Sequence, residues 1–337
     1  MLRRSAPLPS ALFCIALAAL AARAADDHFL AIGSEFRVNQ YTPYTQGQPS
    51  IAMDGDGNFV VAFSSLGNIW ARLFWADGTP RSDEFEVNDL LTNGDQDRPN
   101  TAMARDGRFV VVWQDWDGND GDIMGMAARL YAADGTPLGA PFFVNQNRVG
   151  SQFDGSVAMA DDGSFVATWT DASQDGIAGI FARRFDANAN ALGDEFLVNE
   201  PSDRSQVTSE IGMDATGAFV IAWTDAADKW GEPRNVVARM YERDGTPRTG
   251  EIPLPVDGAG FQRWPVLAVA GLGQWAAAWQ DESGLDGSGM ESGRACSPRP
   301  ERRSPRPSPS TRSPPATRTT RRSRVTGRGT SWWCGTT

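Results

Sequence analysis

The residues best suited to chemistry lie in one short run, Asp115-Trp116-Asp117-Gly118-Asn119-Asp120-Gly121-Asp122. Carboxylates and an amide oxygen on a glycine-flexed loop are the hard oxygen ligands that calcium takes. Asp115, Asp117, Asn119, Asp120 and Asp122 are therefore the candidate metal ligands, with an ordinary solvated acidic loop as the competing reading. The spacing departs from the EF-hand pattern, because Asp120 stands where that loop needs glycine and no bidentate Glu follows at the right distance.

Other chemistries are narrowed by what the chain holds. His28 is the only histidine and precedes all repeated sequence, and the three cysteines are Cys14, Cys296 and Cys334, none of them in the body. Ser-His-Asp and Cys-His triads and His-based zinc sites are thereby excluded, His28 aside. Paired carboxylates for glycan cleavage stay open in so acidic a chain, but no catalytic residue can be named from sequence. Aromatics interleaved with acids suit sugar rings stacking on side-chain faces, and Tyr41, Tyr44, Trp116, Trp230 and Trp264 are the candidates for a ligand-binding face.

These residues are positioned by an internal repeat. The string GNFVVAF at Gly57 returns as GRFVVVW at Gly107, GSFVATW at Gly163, GAFVIAW at Gly217 and GQWAAAW at Gly273. The spacings of 50, 56, 54 and 56 residues match the four short strands of a propeller blade better than the seven strands of an immunoglobulin sandwich. The unit opens on EFRVN at Glu35, EFEVN at Glu84, PFFVN at Pro141 and EFLVN at Glu195, and ends on ARLF at Ala71, ARLY at Ala128, ARRF at Ala182 and ARMY at Ala238. The reading is four strands per unit, in the order EFxVN, the run ending in IAM, FVVxW and ARxY. Asp-Gly between the second and third marks a hairpin, since the tight turn needs positive φ. FVVxW, almost wholly apolar, should be a central strand buried on both faces.

The expected architecture is an all-β propeller of five readable blades in residues 25–288, with units at about 34–82, 83–138, 139–193, 194–249 and 250–288. A solenoid-like or sandwich array is the alternative. Residues that recur in every unit read as structural: Gln46, Gln96, Gln152, Gln206 and Gln262 as buried amides satisfying backbone groups, and Trp113, Trp169, Trp223 and Trp279 as packing between blades. Asp115, Asp171, Asp225 and Asp281 follow each Trp by two and should brace loop backbone. The variable connections fall on one face of the ring.

Residues 1–24 carry Arg3 and Arg4, an apolar run from Ala11 to Ala22 and Ala22-Arg23-Ala24, the pattern of a secretory signal peptide, so the expected address is secreted, periplasmic or cell-surface. Residues 25–292 hold 17 basic and 41 acidic side chains, a field that repels nucleic acid and anionic membrane. Residues 289–337 turn rich in Arg, Pro, Ser and Thr. Shifted by two bases, Trp332-Trp333-Cys334 reads as Val-Val followed by a residue that can be Trp. The stretch from Gly329 to Gly335 then admits xFVVVW, and other motifs of the unit fall into register upstream. The tail reads as an out-of-frame continuation of the repeat, broken near residues 289–293, rather than a disordered basic tail.

The unit EFxVN…IAMDxDGxFVVxW…ARxYxADGTP resembles the repeats of large secreted and cell-surface bacterial proteins, often classed as calcium-binding or adhesin-like. The resemblance covers about residues 34–288 and implies blade-like repeats; it brings no catalytic residues. The function expected from all this is a non-enzymatic binding or structural module, a monomer that takes a carbohydrate or surface protein, with Ca2+ bracing its loops and no cofactor required. A glycan-cleaving enzyme and a frameshifted relic without function are the alternatives. Resequencing the gene should show a base gained or lost at codons 289–293; an uninterrupted frame would remove the out-of-frame reading.

Overall fold

Each repeat folds as an antiparallel sheet whose members follow one another in the chain. The computed structural model describes residues 34–91, 94–116, 118–172, 177–226, 235–254, 261–270, 274–281 and 291–292. The N-terminal segment through His28, Asp117, Trp230 and almost all of the 289–337 tail lie outside these residues. Blade 1 comprises β1 (Gln46–Met53), β2 (Phe59–Ser65), β3 (Asn68–Phe74) and β4 (Phe85–Glu86). Blade 2 comprises β5 (Gln96–Met103), β6 (Phe109–Asp115), β7 (Gly125–Tyr131) and β8 (Phe142–Phe143). Blade 3 holds β9 (Gln152–Met159), β10 (Phe165–Asp171), β11 (Gly179–Phe185) and β12 (Phe196–Leu197). Blade 4 holds β13 (Ser205–Met213), β14 (Phe219–Ala226), β15 (Asn235–Tyr241) and β16 (Ile252–Pro253). Blade 5 shows β17 (Gln262–Ala270), β18 (Gln274–Asp281) and β19 (Glu291–Ser292). Among the described residues no helix is long and apolar enough to cross a membrane.

The propeller expected from the repeat is present, but its blades are cut at a different point of the unit. The EFxVN segment is not the first strand of its own blade. Phe85 and Glu86 pair with Ala71 and Trp70 of β3, and Phe142 and Phe143 pair with Ala128 and Ala127 of β7. Each EFxVN is thus the outermost strand of the preceding sheet. A tandem repeat fixes the period and leaves the phase free, and pairing settled it. The run ending in IAM is innermost, and β1, β5, β9, β13 and β17 touch one another in that order around the axis. Among the described residues, no contact of that extent joins β17 to β1.

The core lies between blades. Every residue of β6 and β10 is buried, as the FVVxW pattern predicts. Successive side chains of β6 divide between two interfaces: Phe109, Val111 and Trp113 pack on blade 1, Val110 and Val112 on blade 3. Trp169, Trp223 and Trp279 take the same place against blades 2, 3 and 4, which is the packing expected of the recurring tryptophans. The hairpins turn as expected, with φ of +89° at Gly57 and +88° at Gly107, a conformation costly for a residue with a Cβ.

Trp169 is fully buried. Trp169→Ala should lower unfolding stability by about 3–5 kcal/mol, the usual cost of emptying an aromatic site. Trp75→Ala, at an exposed site, should cost about 1 kcal/mol or less in the same denaturant titration.

Candidate active site on the propeller axis

The innermost strands share an irregularity that brings unlike side chains to one level of the axis. In each blade the register with the second strand slips two residues after the recurring Gln. The residues there, Gln48, Arg98, Asp154, Thr208 and Trp264, have φ between +50° and +55°. None is glycine, so each holds a left-handed conformation that its side chain disfavours. The surroundings supply the compensation. The displaced N–H of Asp154, Thr208 and Trp264 donates to Gln114 Oε1 (3.2 Å), Thr170 Oγ1 (3.1 Å) and Thr224 Oγ1 (3.2 Å) of the preceding blade. Blade 1 has the shorter Ser64 at that place. Gln48 fills the gap, accepting from Ser64 Oγ at 2.8 Å and from Arg98 N at 3.0 Å through its own Oε1.

Around the bulges a polar cluster spans blades 1 to 3. Arg98 forms an ion pair with Asp154, Gln48 Nε2 donates to Asp97 Oδ2 at 3.3 Å, and Trp116 Nε1 donates to Asp97 Oδ1 at 2.8 Å. Trp116 is held by this bond with its ring exposed, and Trp264 stands exposed on blade 5. Tyr41 and Tyr44 are likewise exposed, ahead of β1.

Two residues beyond each bulge, a second ring of side chains links the blades. Ser50 Oγ accepts Thr101 N at 3.0 Å, Asn100 Oδ1 accepts Val157 N at 3.1 Å, and Ser156 Oγ accepts Ile211 N at 3.4 Å. The corresponding residue of blade 4 is Glu210, the one carboxylate at this level. Glu210 is half-buried from solvent, and desolvation by its neighbours pushes its carboxyl up to about 7, partly offset by the hydroxyl of Ser156 beside it. A carboxylic acid that keeps its proton near neutrality is a proton donor.

The acidic run does not converge in this way. Asp115 Oδ1 accepts from Gln96 Nε2 (3.3 Å) and Asn119 Nδ2 (3.0 Å). Asp120 Oδ2 accepts from Asn145 Nδ2 at 3.2 Å, and Asp122 Oδ2 from Gly150 N at 2.7 Å. Among the described residues no three Asp, Glu, His or Cys side chains are placed to hold a metal ion. Of the Asp residues that follow each Trp by two, Asp115, Asp225 and Asp281 receive the recurring Gln amides, Gln206 Nε2 reaching Asp225 Oδ1 at 2.9 Å and Gln262 Nε2 reaching Asp281 Oδ1 at 3.3 Å, while Asp171 accepts from Asn147 Nδ2 at 3.4 Å. The Gln side chains are buried in blades 2 to 5, and bond backbone as expected in Gln46 Nε2 to Pro43 O (2.9 Å) and Gln152 Nε2 to Val149 O (3.1 Å). A cleft of about 250 Å³ opens on the opposite face between Phe165, Leu192 and Met213, among the hairpin turns, where no carboxylate faces another.

Sequence reasoning named Trp264 and Trp116 as candidates and did not single out Gln48, Arg98, Asp154 or Glu210. The available signal was the distance from the recurring Gln, two or four residues, at which polar and charged side chains stand ahead of the apolar end of each inner strand in blades 1 to 4.

No protein family and no curated protein matches the chain. Among solved structures it is similar to an endo-arabinase from Bacteroides thetaiotaomicron, at 14% identity over 74% of this chain and 92% of that one, with a TM-score of 0.46. It is similar also to a thermostable family-43 glycoside hydrolase, at 14% identity over 82% and 100% of the two chains and a TM-score of 0.46. A third is a Hadza microbial sialidase, at 12% identity over 71% and 53% and a TM-score of 0.48. These findings correct the expectation of a non-enzymatic module, since the matching structures bear the names of glycan-acting enzymes. At this distance no substrate and no residue role is carried across.

The raised carboxyl has a stability consequence. Between about pH 4.5 and pH 7 the native state holds a proton at Glu210 that the unfolded chain releases, so stability falls as pH rises through that window. Glu210→Gln should remove this dependence and leave the protein more stable at pH 8 by up to about 3 kcal/mol, with little change at pH 4, in paired denaturant titrations.

Proposed function

We propose that this chain cleaves a neutral glycan at the bulge end of the propeller axis, with Glu210 as the proton donor to the leaving oxygen and Asp154 as the second carboxylate. The observation that carries the reading is Glu210, the one acid in its ring of inner-strand residues, held near neutrality by burial. Glycoside hydrolysis requires a carboxyl that is still protonated at working pH and a second carboxylate across the scissile bond. Asp154 lies on the adjacent inner strand and is anchored by Arg98. Trp264 and Trp116, exposed at the same end, offer faces on which sugar rings stack. The excess of acid over base in the body disfavours anionic glycans, which leaves neutral ones.

Hydrolysis should be measured as reducing ends released from neutral polysaccharides such as arabinan and xylan. The rate should fall above about pH 7 as Glu210 loses its proton. Glu210→Gln should lose about 10²- to 10⁴-fold in kcat, the usual contribution of a positioned general acid. Asp154→Asn should lose activity while leaving the pH at which the rate falls unchanged. A Glu210→Gln variant as active as the parent, or the absence of release from every neutral glycan tried, would overturn the proposal.

A further inference from the structure

Residues 36–40 make the contacts of an outermost strand without belonging to any sheet. Phe36 packs on Phe74 with ring centroids 5.5 Å apart at 46°. In the following units Phe85 meets Tyr131 at 5.6 Å and 49°, Phe142 meets Phe185 at 5.6 Å and 56°, and Phe196 meets Tyr241 at 5.7 Å and 53°. Arg72 Nη1 donates to Val38 O at 2.8 Å, as Arg129 does to Val87 O at 3.0 Å and Arg239 to Val198 O at 2.9 Å. Gln40 and Glu84 bond reciprocally, N–H to side-chain oxygen, as Gln146 and Glu195 do. Asn39 Nδ2 reaches Gln46 Oε1 at 3.3 Å, as Asn88 reaches Gln96 at 2.6 Å and Asn145 reaches Gln152 at 3.1 Å.

What these residues lack is the strand inside them. The amides of Val87, Val144, Val198 and Leu254 donate to Ile69 O, Met126 O, Ile180 O and Val236 O at 2.8–2.9 Å. The side-chain oxygens of Asn88, Asn145 and Asn199 accept Ile69 N, Met126 N and Ile180 N at 2.8–3.0 Å. Val38 N and Asn39 Oδ1 have no such partner among the described residues. Accordingly Val87, Asn88, Val144 and Asn145 are at most 2% exposed, whereas Val38 and Asn39 are only half-buried. Each Ala-Arg-x-aromatic segment of the sequence, at Ala71, Ala128, Ala182 and Ala238, is already paired inside its own blade.

We infer that Glu35–Asn39 is the fourth strand of a closing sixth blade, docked in advance on blade 1, and that its inner edge takes the third strand of a sixth repeat, in the Ala-Arg-x-aromatic pattern. The occupant is the third strand of a sixth repeat, the unit whose FVVxW strand the shifted frame of the tail admits at Gly329 to Gly335, and among the described residues no extensive contact between β17 and β1 closes the place it would take. The bond that forms is a β-ladder: Val38 N donates to the incoming carbonyl two residues before the Ala, and Asn39 Oδ1 accepts the N–H of that same residue.

The test is hydrogen exchange at the Val38 amide in the full chain, alone and with an excess of synthetic peptide bearing the sequence of Gly125–Tyr131. The amide should exchange as an open one in the chain alone and at least about tenfold more slowly with peptide. A scrambled peptide should have no effect. Val38→Pro should abolish peptide binding, followed by fluorescence anisotropy, without changing the melting curve, because the N–H it removes is unpaired. In a frame-restored chain that runs on through the sixth Ala-Arg-x-aromatic strand the amide should be protected with no peptide. Protection in the unrestored chain alone, binding to Val38→Pro equal to the parent, no slowing by the peptide, or an unprotected amide in the restored chain would each overturn the inference.

Discussion

In each of blades 2 to 4 one guanidinium holds the blade to the blade before it. Arg129 donates through Nε to Gly139 O at 3.1 Å, in the turn of its own blade, and through Nη1 to Val87 O at 3.0 Å, on the outermost strand of the preceding one. Arg72, Arg183 and Arg239 repeat both bonds with their own counterparts. The charge of Arg129 is almost wholly removed from water, so the two carbonyls and the Asp89 carboxylate, which accepts from Nη1, carry its solvation. A planar fork with donors in fixed directions can serve two carbonyls on different blades at once, which a lysine ammonium cannot do with the same geometry. The short outer strands, two residues of ladder each, depend on this bridge and on the aromatic ring beneath it for their place.

The axis is organised by a different economy. Inner strands exchange hydrogen bonds between neighbouring blades through side chains of small polar residues, Ser50, Asn100 and Ser156. Because the bonding group is a side chain, its identity can vary while the backbone stays fixed. Glu210 stands in that series as a carboxyl where others are hydroxyl or amide, and burial then dictates its protonation. The acidity of the site arises from its place in the fold rather than from a charged neighbour.

Much of the fold was legible in the sequence because its determinants recur. Five copies of one apolar string fixed the strand type and the repeating four-stranded unit, and the burial of β6 and β10 follows from their composition. The cut between blades was not legible, since EFxVN precedes one blade in the chain and pairs with another in space, and only hydrogen bonding distinguishes the two. The candidate site was less legible still. Asp115, Asp120 and Asp122 suggest ligands by residue type, and sequence cannot show that Gln96, Asn145 and Gly150 each donate to one of their oxygens. Glu210 and Asp154 carried no local signature. Their significance lies in a strand irregularity and in burial, neither of which residue type encodes. Trp264 was found for its aromatic face, and its backbone conformation was not foreseen.

The bulges also bear on how such a ring could diverge. The five bulge residues hold φ values within 5° of one another although they are Gln, Arg, Asp, Thr and Trp, side chains for which a left-handed conformation is unequally costly. The backbone of the bulge is thus the same under five different side chains. Each blade offers one interchangeable socket at the axis, and a duplicated unit arrives with the socket already built and its occupant free to drift. New specificities would then be written one residue per blade, in a vocabulary as long as the ring has members, while the scaffold between them stays under purifying constraint.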